Sequence, residues 1–170
     1  ANNQILDVEL DTINNEEILN YSNLILSQTE FLSSTIEDFR NFFKINVDKE
    51  DTTPEEVLND VLKLIKSSFD NHLIQITIKI ESNVTIRIRK GELVQVLLNI
   101  FNNAKDALLI NKIDKPSLDI SVNEDEKNIN IHLCDNANGI KEKLLTKIFE
   151  PYFTTKETQN GTGLGLYMSK

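Results

Sequence analysis

The sequence has no tryptophan, one methionine and one cysteine. A lone thiol, Cys134, cannot close an intrachain disulfide, so a stapled secreted scaffold is excluded and a reducing compartment fits. Long apolar runs are also missing. None reaches the roughly 18 residues that a bilayer-spanning helix needs, and the first residues do not read as a secretory signal. The expected location is the cytoplasm, with any membrane anchor in segments outside this sequence. Basic residues are scarce. Eighteen Lys and Arg against 27 Asp and Glu leave a net charge of −9, which argues against nonspecific nucleic-acid binding. Residues 1–46 hold eight acids against Arg40 and Lys44, or −6, and the remaining nineteen acids and sixteen bases give −3. A solvated helix face is the simpler reading of that acidic segment, ahead of a docking site.

Glycine is scarce too, with five in 170 residues, yet Gly161, Gly163 and Gly165 share the stretch NGTGLGL. Such a cluster points to turns with positive φ or to close backbone approach. The stretch lacks the Lys-Ser/Thr of a phosphate-binding P-loop and fails G-x-G-x-x-G at Leu166. A plain turn explains it equally well when taken alone.

Periodicity divides the chain. Residues 5–13 read as a helix end, broken at Asn14-Asn15. A second helix is expected over 16–45, where Ile18, Ile25, Leu32 and Phe39 recur every seven residues beside Tyr21, Gln28, Thr35 and Phe42. Such a stripe needs a partner helix, and a second copy of the pair. The polar run NVDKEDT reads as a linker. Thr53-Pro54-Glu55-Glu56 then signals a helix start with an apolar face of Val57, Leu58, Val61, Leu62, Leu64, Ile65 and Phe69. Strands are expected at 73–80 and 84–89, a helix at 91–110, and a hairpin of 117–122 with 128–135. The fold class is α+β, with helices on one face of a sheet. The expected domains are 1–46 (helical), 47–53 (linker) and 54–170 (α/β).

Polar residues interrupt the apolar helix 91–110. Asn99, Asn103 and Asp106 fall at i, i+4 and i+7, on one face. Asparagine is a poor helix former, so its repeat there asks for a reason. Amide oxygens are hard ligands of the kind that Mg²⁺ takes in small number, beside phosphate oxygens and water. DNANGI ends a strand with Asp135, an acceptor suited to an amino N–H, and places Gly139 in a tight turn. IFEPYFTTK ends at Lys156, just before the glycine stretch.

Taken in order, LVQVLLNIFNNAKDAL, DNANGI, IFEPYFTTK and GTGLGL resemble the N, G1, F and G2 boxes of sensor histidine kinases. The upstream STIEDFRNFF looks like the second helix of that family's dimerisation and phosphotransfer hairpin. The resemblance implies an N-terminal helical hairpin, half of a dimeric four-helix bundle, followed by an α/β sandwich ATP-binding domain of the Bergerat type. That domain is shared with gyrase, the heat-shock-90 chaperones and mismatch-repair ATPases. The resemblance also implies ATP and Mg²⁺ as ligands, a homodimer through the N-terminal helices, and a response-regulator receiver domain as partner. By position, Asn103 would hold Mg²⁺ and Asn99 would sit beside the phosphates or the metal's water. Asp135 would bond the adenine amino group, with Gly139 shaping the pocket floor. Lys156 and the backbone of Gly161, Thr162, Gly163, Leu164 and Gly165 would hold the phosphates, making Asn99 and Lys156 the catalytic pair. Phe149 and Phe153 would anchor the lid.

Three departures matter. Ala137 stands where the family's G1 box has its first glycine, at a cost of about 1 kcal/mol if that position needs positive φ. Asp106 stands where many relatives carry a phosphate-binding lysine, and Lys105, one position off, should point elsewhere. The phosphoacceptor histidine motif is absent: His72 and His132 read as structural or solvent-facing, so the acceptor is expected before Ala1 and the domain is expected to continue past Lys170. Two other readings stand beside the kinase. An ATP hydrolase of the same superfamily needs a Glu base where Asn99 stands. A degenerate nucleotide-sensing or dimerisation module has only Ala137 in its favour.

Overall fold

The computed structural model describes residues 18–26, 28, 29, 33, 48–156 and 161–170. Of the helix expected over 16–45, the described residues are helical (α1). Ile18, Leu19, Tyr21, Leu24, Ile25 and Leu26 on it are exposed. The remaining heptads, the break at Asn14-Asn15 and the helix end at 5–13 lie outside the described residues.

Part of the expected linker is strand. Glu50–Thr52 form β1, which pairs antiparallel with β3, Ile86–Ile88. Polarity hid it: Asp51 faces Arg87 across the ladder at 3.7 Å, while Thr52 is buried. The second expected strand therefore joins this small ribbon and not the main sheet.

Helix α2, Pro54–Asn71, starts as its sequence requires. Thr53 Oγ1 accepts from the Glu56 N–H at 3.2 Å, and Glu56 Oε2 accepts from the Thr53 N–H at 3.1 Å. The Thr52 hydroxyl donates to the same Glu56 oxygen at 2.9 Å, and these bonds hold the carboxyl below its ordinary pKa. Val57, Leu58, Val61, Ile65 and Phe69 turn inward, but Leu64, expected among them, is exposed. Leu73 closes the helix in the left-handed region (φ 56°), and Ile74 donates back to the Phe69 carbonyl at 3.0 Å. Hence β2 begins at Gln75 and not at 73.

Strand β2 (Gln75–Ile80) runs parallel to β4 (Ser117–Glu124), which pairs antiparallel with β5 (Ile129–Asp135). Helix α3, Lys90–Ile110, packs beside α2. The core lies between these helices and the sheet. Leu97, Phe101, Ala104 and Leu108 of α3 meet Leu118, Ile120 and Val122 of β4, and Phe69 and Phe101 cross edge-on with ring centroids 6.0 Å apart. The other face of the sheet is polar, with rows Thr77–Asp119–Cys134 and Lys79–Ser121–His132. This α+β arrangement carries the polar stripe of α3 and the end of β5 to one edge of the core.

The turn joining β4 to β5 is built on one carboxylate. Asp125 accepts from Asn130 Nδ2 at 3.0 Å and from the N–H groups of Lys127 and Asn128 at 2.9 and 3.0 Å. These bonds pull its pKa from 3.8 down to about 2. A depressed carboxyl contributes stability above its unfolded pKa and loses it as pH falls through the folded one. Thermal melts between pH 4 and pH 2 are therefore expected to fall more steeply for the unsubstituted chain than for Asp125→Asn. Equal slopes would remove Asp125 as the cause.

Candidate functional site

Asn99, Asn103 and Asp106 are half-buried on α3, and they meet two pieces of the segment that follows β5: Asn99 meets the stretch 165–169, and the other two meet Lys156. Asn99 Nδ2 donates to the Gly165 carbonyl at 3.2 Å and to Ser169 Oγ at 3.3 Å, while its oxygen accepts from Gln95 Nε2 at 3.5 Å. The nitrogen end of this amide thus seats α4, Gly165–Met168, on α3, while its oxygen is held by Gln95 of α3 itself. Asn103 Oδ1 accepts from Lys156 Nζ at 3.3 Å, and Asp106 Oδ2 accepts from the same ammonium at 2.5 Å. Lys105 turns away and donates to Ser68 Oγ at 3.0 Å, as its offset by one position requires.

The glycines are explained by what stands opposite them. At Gly163 φ is +67°, and a Cβ would lie 2.7 Å from Tyr152 Cα and 2.8 Å from Phe153 N. At Gly161 a Cβ would lie 2.8 Å from Thr154 Oγ1 and 3.2 Å from Lys156 Cδ. At Gly165 it would make ordinary contact with Asn99 Cγ at 3.5 Å. The glycine loop therefore packs on the strip 152–156 and on α3. Leu164, between the second and third glycines, is buried, and its N–H donates to Thr162 Oγ1 at 3.3 Å. Lys156 is held from behind by its own N–H, which donates to Thr154 Oγ1 at 3.1 Å.

The other wall is the turn after β5. The half-buried Asp135 accepts from the Ala137 N–H at 3.0 Å through Oδ1. Ala137 does not adopt a positive φ and packs on the core, so its methyl brings no left-handed strain. Gly139 does adopt one (φ 66°), with no atom within 4 Å of a Cβ position, so the floor beside it is open. Three asparagines that pattern reading passed over fix this turn. Asn136 binds Ser117 N and the Lys115 carbonyl at 2.9 and 2.8 Å, and Asn138 donates to Asn111 Oδ1 at 2.7 Å. The only signal in the sequence was the crowding of Asn136 and Asn138 beside Asp135; Asn111, at the end of α3, gave none. Phe149, expected to anchor the lid, is exposed, whereas Phe153 is half-buried. His72 and His132 are exposed and distant in role from the site: one caps α2 and the other lies on the polar sheet face.

The family of histidine kinase-, DNA gyrase B- and HSP90-like ATPases matches residues 88–170. Among curated proteins, the two-component sensor PprA of Pseudomonas aeruginosa is 33% identical over 120 residues, 68% of this chain and 13% of PprA. Sporulation kinase A of Bacillus subtilis is 32% identical over 125 residues, 73% of this chain and 20% of that kinase. The catalytic domain of histidine kinase ThkA superposes with a TM-score of 0.63 at 25% identity, covering 72% of this chain and 77% of that domain. This chain carries a sensor histidine kinase ATP-binding domain. It spans a fifth or less of the length of those two curated relatives. ThkA has also been solved in complex with the response regulator TrrA; that kinase superposes with a TM-score of 0.67 at 20% identity, over 84% of this chain and 42% of that one.

Within the kinase domain, the polar stripe of the N box is a half-buried face of α3, the G1 box is the turn after β5, and the F and G2 boxes are packed on each other. Among the described residues, no three His, Cys, Asp or Glu side chains converge as metal ligands. The donor set nonetheless fits one hard cation shared with a ligand. The Lys156 ammonium already rests against Asn103 Oδ1 and Asp106 Oδ2, so these oxygens accept a positive charge at that spot. Mg²⁺ takes few protein oxygens and fills the rest of its shell with substrate phosphate oxygens and water, so an amide oxygen here can serve as such a protein ligand.

Proposed function

We propose that this chain is the ATP-binding portion of a sensor kinase that transfers the γ-phosphoryl of Mg-ATP to a histidine and then to a response-regulator aspartate. The observation that carries the reading is the meeting of Lys156 with Asn103 beneath the glycine loop. Asp135 receives the adenine amino group, and the open floor at Gly139 admits the ring. Lys156 and the backbone of 161–165 bind the triphosphate. Asn103 would hold Mg²⁺, which would supply charge neutralisation to the triphosphate. Asn99 seats α4 so that the loop lies at a fixed height over α3, and stands beside the phosphates without acting as a base, since an amide has no basicity at neutral pH. The lid excludes water, so that the histidine nitrogen and not a hydroxyl takes the phosphoryl group.

The partners follow from the same reading. The exposed apolar residues of α1 support a homodimer through the N-terminal helices. The complex of ThkA with TrrA supports a receiver domain as phosphoryl acceptor. In the full-length protein, label from the γ position of ATP is expected to appear as acid-labile phosphohistidine and to move to a receiver-domain aspartate. Release of inorganic phosphate without any phosphohistidine would overturn this in favour of a hydrolase.

A further inference from the structure

Asp106 is the one member of the α3 stripe to which the nucleotide-binding reading gives no task. It lies three residues beyond Asn103, so the two project from one helix face. Among the described residues its carboxylate pairs with Lys156 alone, at 2.5 Å, in a partly shielded setting where the two side chains are 34% and 24% exposed. The same ammonium donates to Asn103 Oδ1. Lys156 is therefore parked on the oxygen that the metal needs, and Asp106 is what parks it there.

We propose that Asp106 is a positioning and specificity residue that makes the site select metal-bound over metal-free ATP. This rests on the nucleotide reading above. Without metal, ATP must draw Lys156 from a carboxylate and an amide, and its phosphates then face the uncovered Asp106 charge. Like charges at that range, partly shielded from water, repel. With Mg²⁺ present, the cation takes over Asn103 Oδ1 and screens Asp106 from the triphosphate. Because the cation then meets much of the phosphate charge, Lys156 need not leave Asp106, which it keeps through one of its three donors while another reaches a phosphate oxygen. The carboxylate thus penalises bare ATP and leaves Mg-ATP nearly untouched.

The test uses the full chain with two readouts. The first needs no nucleotide: the ¹⁵N signal of the Lys156 ammonium, visible by NMR when an ion pair slows its exchange. It is expected in the unsubstituted chain and in Asp106→Glu, and lost in Asp106→Asn. The second is ATP affinity with Mg²⁺ and with EDTA. Asp106→Asn is expected to tighten metal-free ATP about tenfold with a smaller change for Mg-ATP, so that the metal dependence shrinks. Asp106→Glu should restore the dependence. An unchanged ratio of the two affinities in Asp106→Asn overturns the proposal. So does a Lys156 ammonium signal that persists in Asp106→Asn, because the carboxylate would then not be what holds the lysine. If the unsubstituted chain responds to neither form of ATP, the nucleotide reading fails, and the proposal falls with it. If Mg-ATP binds normally and the ratio does not move, only the proposal fails.

Discussion

Replacing Asn103 by alanine is expected to abolish the thermal stabilisation that Mg-ATP gives, while leaving the nucleotide-free chain as stable as before. The second half follows from the hydrogen bonds. Asn103 Oδ1 accepts from Lys156, which keeps Asp106 when the amide is removed, so no group is left without a partner. Alanine is also the better helix former, by about 0.5 kcal/mol. The first half follows from the metal: with no oxygen at that position, Mg²⁺ has no protein ligand on α3. At a ligand concentration of 100 times Kd, the lost stabilisation is about 2.7 kcal/mol, a shift on the order of 5–10 °C for a chain of this size. The competing account makes Asn103 a structural cap. It requires a lower melting temperature without ligand, from about 1–3 kcal/mol of unmet hydrogen bonding, and a preserved shift with ligand. Differential scanning fluorimetry of both forms, with and without Mg-ATP, separates the two, since each account moves the quantity that the other leaves fixed.

What the sequence made legible was local. The capping box at Thr53 and Glu56, the alternation of β4 and the length of α3 are each written within a few residues, and each stands where the pattern put it. The stripe of Asn99, Asn103 and Asp106 was equally plain, because helical spacing alone puts them together. What escaped was whatever depended on a distant partner. Strand β1 is three polar residues long, and only its ladder to β3 makes it a strand. Leu64 has the right character for the core but sits on the wrong arc of α2. The tether of Lys156 to Asp106 joins residues 50 apart, and neither side chain announces the other. The glycines illustrate both cases. Their clustering showed that something approaches closely, but the approaching groups at Gly161 and Gly163 are the chain's own strip at 152–156.

That origin gives the three glycines different tolerances, and Gly163→Ala is expected to be the most damaging of the three alanine substitutions. The left-handed backbone costs an L residue about 1–2 kcal/mol. The larger obstacle is steric: the new methyl falls on the backbone of Tyr152 and Phe153, and Tyr152 is itself left-handed at φ 64°. Backbone atoms cannot rotate aside, so the loop has to lift off the strip that carries Lys156. The core should survive, since it lies between α2, α3 and the sheet. At Gly161 the obstacles are the Thr154 hydroxyl and the Lys156 stem, both of which can shift, so alanine there should weaken binding moderately. At Gly165 the nearest atoms of Asn99 stand at ordinary contact distance and the backbone is helical, where alanine gains about 0.5–1 kcal/mol over glycine. The expected order of lost Mg-ATP affinity is therefore Gly163 first, Gly161 second and Gly165 last, with Gly163→Ala down at least about tenfold, the equivalent of 1.4 kcal/mol. Isothermal titration of the three variants, with far-ultraviolet circular dichroism to verify the fold, gives the order directly. If Gly165→Ala or Gly161→Ala proved the worst, the glycines would be there to let phosphate approach the loop, and the packing of loop on lid would not be what demands them.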